Sequence, residues 1–313
     1  MEQTTLSIVI PVFNRSKIVG ATLESVARQT YRPFNLILID NASTDNTREV
    51  LTHWKDSIEK SPQGTGIHIT VTDCKKPGAA AARNVGLELV KTPWVMYFDS
   101  DDIMSPYHVE LAVKDIENNP HADIIGWDTE IVDTDMTRLR ISPFSTSHAG
   151  WKNLFNGLLS TQHYCTRTHL MRKAGGWNEK VYYWIDIELG ARLLSLSPVL
   201  YKSEHNDKRV IIVSSDNSIT ATPDTDPARI EPALQSISQT LGPHKRNHIL
   251  LKRIIEAAKC SRAGSQKGKS LYSATLKECN NLSFKLLLKT AYHYTKAGGR
   301  GIALIYRHLP FYF

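Results

Sequence analysis

Cysteine is scarce in this sequence. Four occur, at 74, 165, 260 and 279, and none stands in Cys-x-x-Cys spacing. That argues against a disulfide framework and a zinc ribbon, and a reducing, cytoplasmic setting is expected. Long apolar runs are missing too: nothing approaches the roughly 18 residues of a membrane-spanning helix. The opening MEQTTLSIVIPVFN has no basic leader ahead of its apolar run, so no secretory signal peptide is expected. Repeats and low-complexity tracts are absent. Acid is nearly absent from Leu241 onward, where 14 Lys and Arg face 2 Asp and Glu, a net of +12. The remainder of the chain carries −5 of the total +7, so the two parts suit different partners.

What remains is a chain of 313 residues, 41% apolar and 22% charged, enough for one large core plus a smaller unit. Its first hundred residues alternate strand and helix patterns. Strands are expected at 6–12, 35–40, 67–71 and 94–98, with helices at 16–29, from Ser43 or Thr44 (as cap) to 59, and from Pro77-Gly78 to Val90. This reads as an α/β fold, a mostly parallel sheet with helices on both faces. A helix over 106–117 and a strand over 123–127 follow, then an irregular stretch over 129–166. A helix over 189–196 and strands over 199–202 and 209–213 complete a first domain, 1–225. The second, 226–313, reads as helical, with segments at 226–241, 244–262, 270–295 and 299–308.

In parallel sheets the ligand sits outside the carboxyl ends of the strands. Three polar clusters fall there: Phe13-Asn14, Asp40-Asn41, and Asp99-Ser100-Asp101-Asp102. Each alone is also a capping loop; together they point to one crevice. Three carboxylates within four residues repel one another. A hard divalent cation, Mn²⁺ or Mg²⁺, would neutralise them, and an acidic helix cap ahead of Pro106 is the other reading.

Four segments occur in an order and spacing that resemble the family 2 glycosyltransferases. They are Ser7 to Asn14 (SIVIPVFN), Ile39 to Asp45 (IDNASTD), Gly78 to Gly86 (GAAAARNVG) and Phe98 to Asp102 (FDSDD). The resemblance runs over about residues 5–220. It implies the GT-A fold, a nucleotide-sugar donor, a divalent metal and inversion at the anomeric carbon. Pro11, Phe13 and Asn14 then match the loop along the nucleotide, and Asp40 the acid that reads the base, typically uracil. Asn41 stands where many members have a second Asp. Arg83 and Asn84 match the pair bracing the donor. Asp99 matches the acid toward ribose and metal, and Asp101 the direct metal ligand. Asp102 is placed on the acceptor side or as a support.

Further on, Gly175-Gly176-Trp177-Asn178-Glu179 and Trp184-Ile185-Asp186-Ile187-Glu188-Leu189 resemble the family's later motifs. Asp186 matches the general base, with Glu188 as the fallback, and Glu188 and Trp177 are placed on the acceptor side or as supports behind it; a mere helix cap is the other reading of Asp186. Two departures stand out. Ile185 replaces a Glu, and Ser214 to Thr220 lacks the His that completes many metal sites; either Asp216 substitutes or the metal relies on Asp101, diphosphate and water, and His205 reads as a surface residue. Trp127, Trp151, Phe155 and His163 are candidate acceptor contacts or core. The implied mechanism is a single displacement in which an ordinary, ionised Asp186 takes the acceptor proton.

The implied function is transfer from a UDP-sugar to a glycan or lipid-linked acceptor in surface polysaccharide or glycolipid assembly. A nucleotidyltransferase would need a glycine-rich basic loop after the first strand, which Pro11 to Arg15 is not; a non-catalytic sugar-binding relative is the other alternative. Residues 241–313 mix basic and apolar residues, so a peripheral anionic membrane contact at the cytoplasmic face is expected, against simple packing or an oligomer contact. No nucleic-acid motif accompanies the charge.

Overall fold

The computed structural model describes residues 5–205, 209–214 and 226–306. Its first strand shows how the fold is specified. In β1 (Leu6–Val12) side chains alternate faces: Leu6, Ile8, Ile10 and Val12 enter one buried cluster and Val9 another. Both faces are therefore covered, as a parallel strand requires. The chain continues through α1 (Val19–Ala27), β2 (Phe34–Asp40), α2 (Thr47–Glu59), β3 (Ile67–Asp73), α3 (Ala79–Leu89) and β4 (Trp94–Tyr97). Then come β5 (Ile103–Met104), α4 (His108–Asn118), β6 (Ile124–Gly126), β7 (Thr129–Val132), β8 (Arg138–Ser142) and α5 (Ala149–Asn156). Next are β9 (Tyr164–Arg167), α6 (Thr168–Lys173), α7 (Ile185–Ser195), β10 (Leu200–Lys202) and β11 (Val210–Val213).

The main sheet has seven strands in the order β10-β6-β9-β4-β1-β2-β3, parallel except for β9. A second sheet runs β5-β11-β7-β8. Close packing of α3 on the main sheet depends on Gly86, where a Cβ would lie 2.3 Å from Val9 Cγ1. The register of β1 with β2 pairs Val12 with Asp40, and that with β4 pairs Val9 with Tyr97. The loops after these strands thus open at one edge. Two of them turn through left-handed residues, Asn14 (φ 50) and Ala42 (φ 56).

Three expectations need correction. The stretch 129–166 is not irregular: it holds β7, β8, α5 and the start of β9, the antiparallel strand inside the main sheet between β6 and β4. Ser43 and Thr44 do not cap α2. Ser43 Oγ accepts from Asn14 N at 3.0 Å and Thr44 N donates to Asn14 Oδ1 at 2.8 Å, while Asp45 Oδ1 takes Thr47 N at 3.0 Å. The expected helix over 270–295 is two.

The chain forms two compact units, one of residues 1–150 and 157–215, the other of 151–156 and 216–313. The second unit contains α8 (Glu231–Leu241), α9 (Arg246–Arg262), α10 (Gln266–Glu278), α11 (Leu282–Lys296) and α12 (Ile302–Tyr306). Its core joins Leu251, Ile254 and Ala258 of α9 to Phe284, Leu288 and Ala291 of α11. Asn281 separates α10 from α11 because its extended backbone caps the latter, Oδ1 accepting from Phe284 N at 2.8 Å. Trp151 and Phe155 are partly buried and pack on this core. The four cysteines form no disulfide and are buried. Among the described residues no helix is long and apolar enough to cross a membrane.

Candidate active site

The crevice at the carboxyl ends of β1, β2 and β4 gathers most of the residues singled out above. The acid cluster after β4 is its centre. Asp99 Oδ1 accepts from Arg83 Nη2 at 2.6 Å, and Oδ2 accepts from Gln162 Nε2 at 2.6 Å. The same Nε2 reaches Asp102 Oδ2 at 2.6 Å, and Asp102 Oδ1 accepts from Val213 N at 3.0 Å. Asp101 is half-exposed and has a looser pair with Arg15 Nη2, at 3.4 Å. Burial first, and Asp99 and Asp101 second, push Asp102 up to about 8. Asp101 is raised for the same two reasons, burial and Asp99. At Asp101 the repulsion from Asp99 thus outweighs the relief from Arg15.

Arg83 is buried on α3. It lies 4.5 Å over the ring of Trp177, and its Nε and Nη1 have no hydrogen-bond partner. Burial works against its charge, but Asp99 and Asp186 prevail and raise its pKa. Asp186 sits in the first turn of α7, just after Trp184, whose left-handed backbone (φ 57) is costly for a bulky residue. Its Oδ1 accepts from Thr161 Oγ1 at 2.7 Å. Burial raises the Asp186 pKa, Arg83 opposes and Asp99 adds to the rise. The expectation of an ordinary carboxylate is corrected accordingly.

At the ends of β1 and β2, Phe13 is exposed, Pro11 lies in β1, and Asp40 is buried with Oδ1 lacking any hydrogen-bond partner. Asn41 is buried and held within the fold. Its Nδ2 donates to Lys76 O at 2.8 Å and its Oδ1 accepts from Gly78 N at 2.8 Å, which fixes the loop into α3. Asn84 likewise holds the Gly-Gly-Trp segment: Oδ1 accepts from Trp177 N at 2.8 Å and Nδ2 donates to Trp177 O at 2.9 Å. Gly176 (φ 66) must be glycine there, since a Cβ would stand 2.7 Å from Asn84 Oδ1.

The residues expected on the acceptor side or as its supports are buried. Glu188 is buried and paired with Arg192 through both oxygens, at 2.9 and 2.7 Å, so it is no free base. Trp177 is buried edge-on to Tyr97, 5.2 Å between centroids, and serves as the floor under Arg83. Asp102 is buried and held by Gln162 Nε2 and Val213 N. Trp127 and His163 are also buried; His163, pushed down to about 4 chiefly by burial, faces Thr129 Oγ1 at 2.7 Å. Asp216 lies outside the described residues, and His205 is half-buried with its N–H on Ser203 Oγ.

Thr161 and Gln162 were not foreseen. Their residue types carry no signal; the antiparallel pairing of β9 does. It aligns Met96 with Cys165, and continuing that register sets Asp99 opposite Gln162.

Among the described residues, no three His, Cys, Asp or Glu form a full metal cage. The acid cluster offers instead hard oxygen donors, an accessible Asp101 and unrelieved repulsion. That fits a cation held by one or two carboxylates together with substrate phosphates.

A mostly parallel sheet with this acid cluster at its carboxyl edge and a C-terminal set of helices is the GT-A architecture. Residues 7–174 match the glycosyl transferase family 2 profile, and the chain belongs to that family. It is similar to the glycosyltransferase GlyG of Streptococcus pneumoniae, 28% identical over 39% of this chain and 38% of GlyG. It also resembles the Escherichia coli UDP-Glc:alpha-D-GlcNAc-diphosphoundecaprenol beta-1,3-glucosyltransferase WfgD, 31% identical over 36% and 42% of the two chains. The teichoic acid poly(glycerol phosphate) polymerase of Staphylococcus epidermidis is 27% identical over 58% of this chain and 24% of its own. The chain thus spans 24–42% of the length of these relatives. In fold it is similar to residues 1–349 of S. aureus TarS in complex with UDP-GlcNAc, with a TM-score of 0.65 at 15% identity, covering 97% and 92% of the two chains. A mannosyltransferase of Pyrobaculum calidifontis in complex with GDP-Man and Mn²⁺ matches at 0.53 and 14% identity, over 95% and 87%.

Proposed function

We propose that this protein is an inverting glycosyltransferase that moves a sugar from a UDP-sugar to an acceptor hydroxyl in glycan or lipid-linked assembly. The observation that carries the reading is the convergence of Asp40, Arg83, Asp99, Asp101 and Asp186 on one crevice. The unpartnered Asp40 Oδ1 suits the ring N–H of uracil. Pro11, Phe13 and Asn14 border the nucleotide. Arg83 holds Asp99, which faces the ribose and donor phosphates. Asp186 takes the proton of the acceptor hydroxyl as its oxygen attacks the anomeric carbon and the nucleoside diphosphate leaves. Its raised pKa makes it a stronger base than an exposed Asp, and general-base catalysis contributes about 10²–10⁴-fold.

Asp101, with Asp99 beside it, would hold Mn²⁺ or Mg²⁺. When bound, the ion supplies charge stabilisation for the departing diphosphate. The relatives' names support the donor and acceptor classes: WfgD for UDP-Glc and a diphosphoundecaprenol acceptor, the TarS complex for UDP-GlcNAc.

Residues 1–225 would be the catalytic part. The basic helical part, 226–313, would contact an anionic membrane at the cytoplasmic face. On α11, Leu282 and Leu286 are 82% and 65% exposed, with Lys285, Lys289 and Lys296 on the same side of the helix and no acid in its length.

The test is protection against thermal unfolding by a panel of UDP-, GDP- and dTDP-sugars with Mn²⁺. A ligand at 100 times its Kd stabilises by about 2.7 kcal/mol. A rise with UDP-sugars that a chelator abolishes supports the reading; no rise with any nucleotide sugar contradicts it.

A further inference from the structure

The short segment before β9 touches both sides of the reaction. Thr161 Oγ1 donates to Asp186 Oδ1 at 2.7 Å. Its neighbour Gln162 gives its two amide hydrogens to Asp99 Oδ2 and Asp102 Oδ2, each at 2.6 Å. Both side chains are buried, at 2% and 6% exposure. The backbone beneath them is fixed in turn. Trp127 Nε1 donates to Gln162 O at 2.7 Å, Trp127 N donates to His163 O at 2.9 Å, and the His163 ring meets Thr129 Oγ1 at 2.7 Å.

We propose that Thr161 and Gln162 form a positioning clip: Thr161 orients the proton-accepting carboxylate, Gln162 orients the donor-side carboxylate, and their adjacency in the chain sets the spacing between the two. This rests on the reading of Asp186 as the base and Asp99 as a donor-side group.

The chemistry of the two side chains suits the task. A hydroxyl donating to Oδ1 fixes rotation of the Asp186 carboxylate and leaves Oδ2 to accept the proton. A neutral amide nitrogen with two N–H groups tethers two carboxylates without adding charge, which an ammonium would do. A buried donor pair of this kind holds reacting groups in register, and small misplacements are costly in rate. The charged and titratable groups around Asp186 are Arg83 from α3, Asp99 after β4 and Tyr164 from β9. Of these neighbours Thr161 supplies the hydroxyl that donates to Asp186, whereas the Tyr164 hydroxyl makes no hydrogen bond.

The two halves predict different kinetic signatures. Turnover is read as UDP release from UDP-glucose and UDP-N-acetylglucosamine with Mn²⁺, water serving as acceptor where no glycan is added. UDP affinity is read by calorimetry. Thr161→Val should lower kcat by about tenfold or more. UDP affinity should stay within about twofold, and the acid limb of the kcat profile should move to higher pH, because Asp186 loses a donor that favours its charged form. Thr161→Ser should restore both. Gln162→Met should weaken UDP binding by about fivefold or more and leave the acid limb in place. If that variant does not fold, Gln162→Asn, one methylene shorter and able to reach a single carboxylate, should show the same direction.

The clip is overturned if Thr161→Val keeps wild-type kcat and pH profile while Asp186→Asn is inactive; the base reading then stands. It is also overturned if both sets of variants lose kcat and UDP affinity together in step with melting temperature. Full turnover in Asp186→Asn defeats the base reading itself.

Discussion

Glu188 and Arg192 stand one turn apart on α7 and close on each other through two hydrogen bonds, Nε to Oε1 at 2.9 Å and Nη2 to Oε2 at 2.7 Å. Asn178 Nδ2 adds a third contact to Oε1 at 3.2 Å, and Arg192 also donates to the carbonyls of Ala174 and Gly176. This pair ties the Gly-Gly-Trp segment to the helix that carries Asp186. Glu188→Ala leaves Arg192 without its partner in a largely buried place. A loss of about 3–5 kcal/mol in urea unfolding is expected. UDP affinity of the folded protein should persist. Unchanged stability with lost turnover would return the base role to Glu188.

Asn41 gives a second test, because its amide both accepts and donates. Asp at this position can still accept from Gly78 N but sets a carboxylate against the carbonyl of Lys76. Asn41→Asp should therefore destabilise the fold by about 1–3 kcal/mol at neutral pH, with recovery as the pH falls and the new carboxyl protonates. A melting curve at two pH values reads this. Equal stability would mean that the amide donor contributes nothing.

Much of this was legible in the sequence, and the part that was not has a common cause. The near-continuous burial of Leu6–Val12 and the acids that follow the strands, Asp40 and Asp99 to Asp102, follow from local pattern, so the sheet edge and its acids could be read directly. What escaped depends on pairing. Gln162 reaches Asp99 only because β9 runs antiparallel beside β4, a long-range choice that no window of sequence contains. Trp177, Asn84 and Glu188 sit in motifs whose order was recognisable. Their side chains turn inward to hold one another, and residue type alone does not tell a ligand contact from a brace. The break at Asn281 was missed because apolar spacing continues across it, whereas its capping hydrogen bond is local and could have been foreseen.

Asp101 tests the cation. Its side chain is half-exposed with one pair at 3.4 Å, so removing it costs the core little. Asp101→Ala should melt within a few degrees of wild type yet lose the Mn²⁺-dependent part of UDP stabilisation. Thermal shift with UDP, with and without Mn²⁺, measures it. Retention of the full Mn²⁺ effect would remove Asp101 from the site.

The exposed side of α11 is tested on vesicles. The protein should float with vesicles containing anionic phosphatidylglycerol at low salt and detach as salt rises. Lys285→Glu with Lys289→Glu should weaken binding by roughly 30-fold or more, from about 1 kcal/mol for each lost lysine near the surface. Leu282→Ser with Leu286→Ser should reduce it further. Flotation unaffected by either pair of changes would place the contact elsewhere, and no flotation at any salt would end the membrane proposal.

The central claim is that Asp186 accepts the proton in a UDP-sugar reaction, and the most direct measurement is the pH profile of UDP release by the wild type beside Asp186→Asn. A base works when ionised, and burial raises its pKa above the ordinary carboxylate range of about 4. Turnover should therefore fall as pH drops through a value above that range. Asp186→Asn keeps the shape and the Thr161 hydrogen bond. It should lose about 10²-fold or more at every pH, with UDP affinity within about twofold and stability equal or higher at neutral pH. Wild-type turnover in Asp186→Asn, with or without the acid limb, would contradict the account.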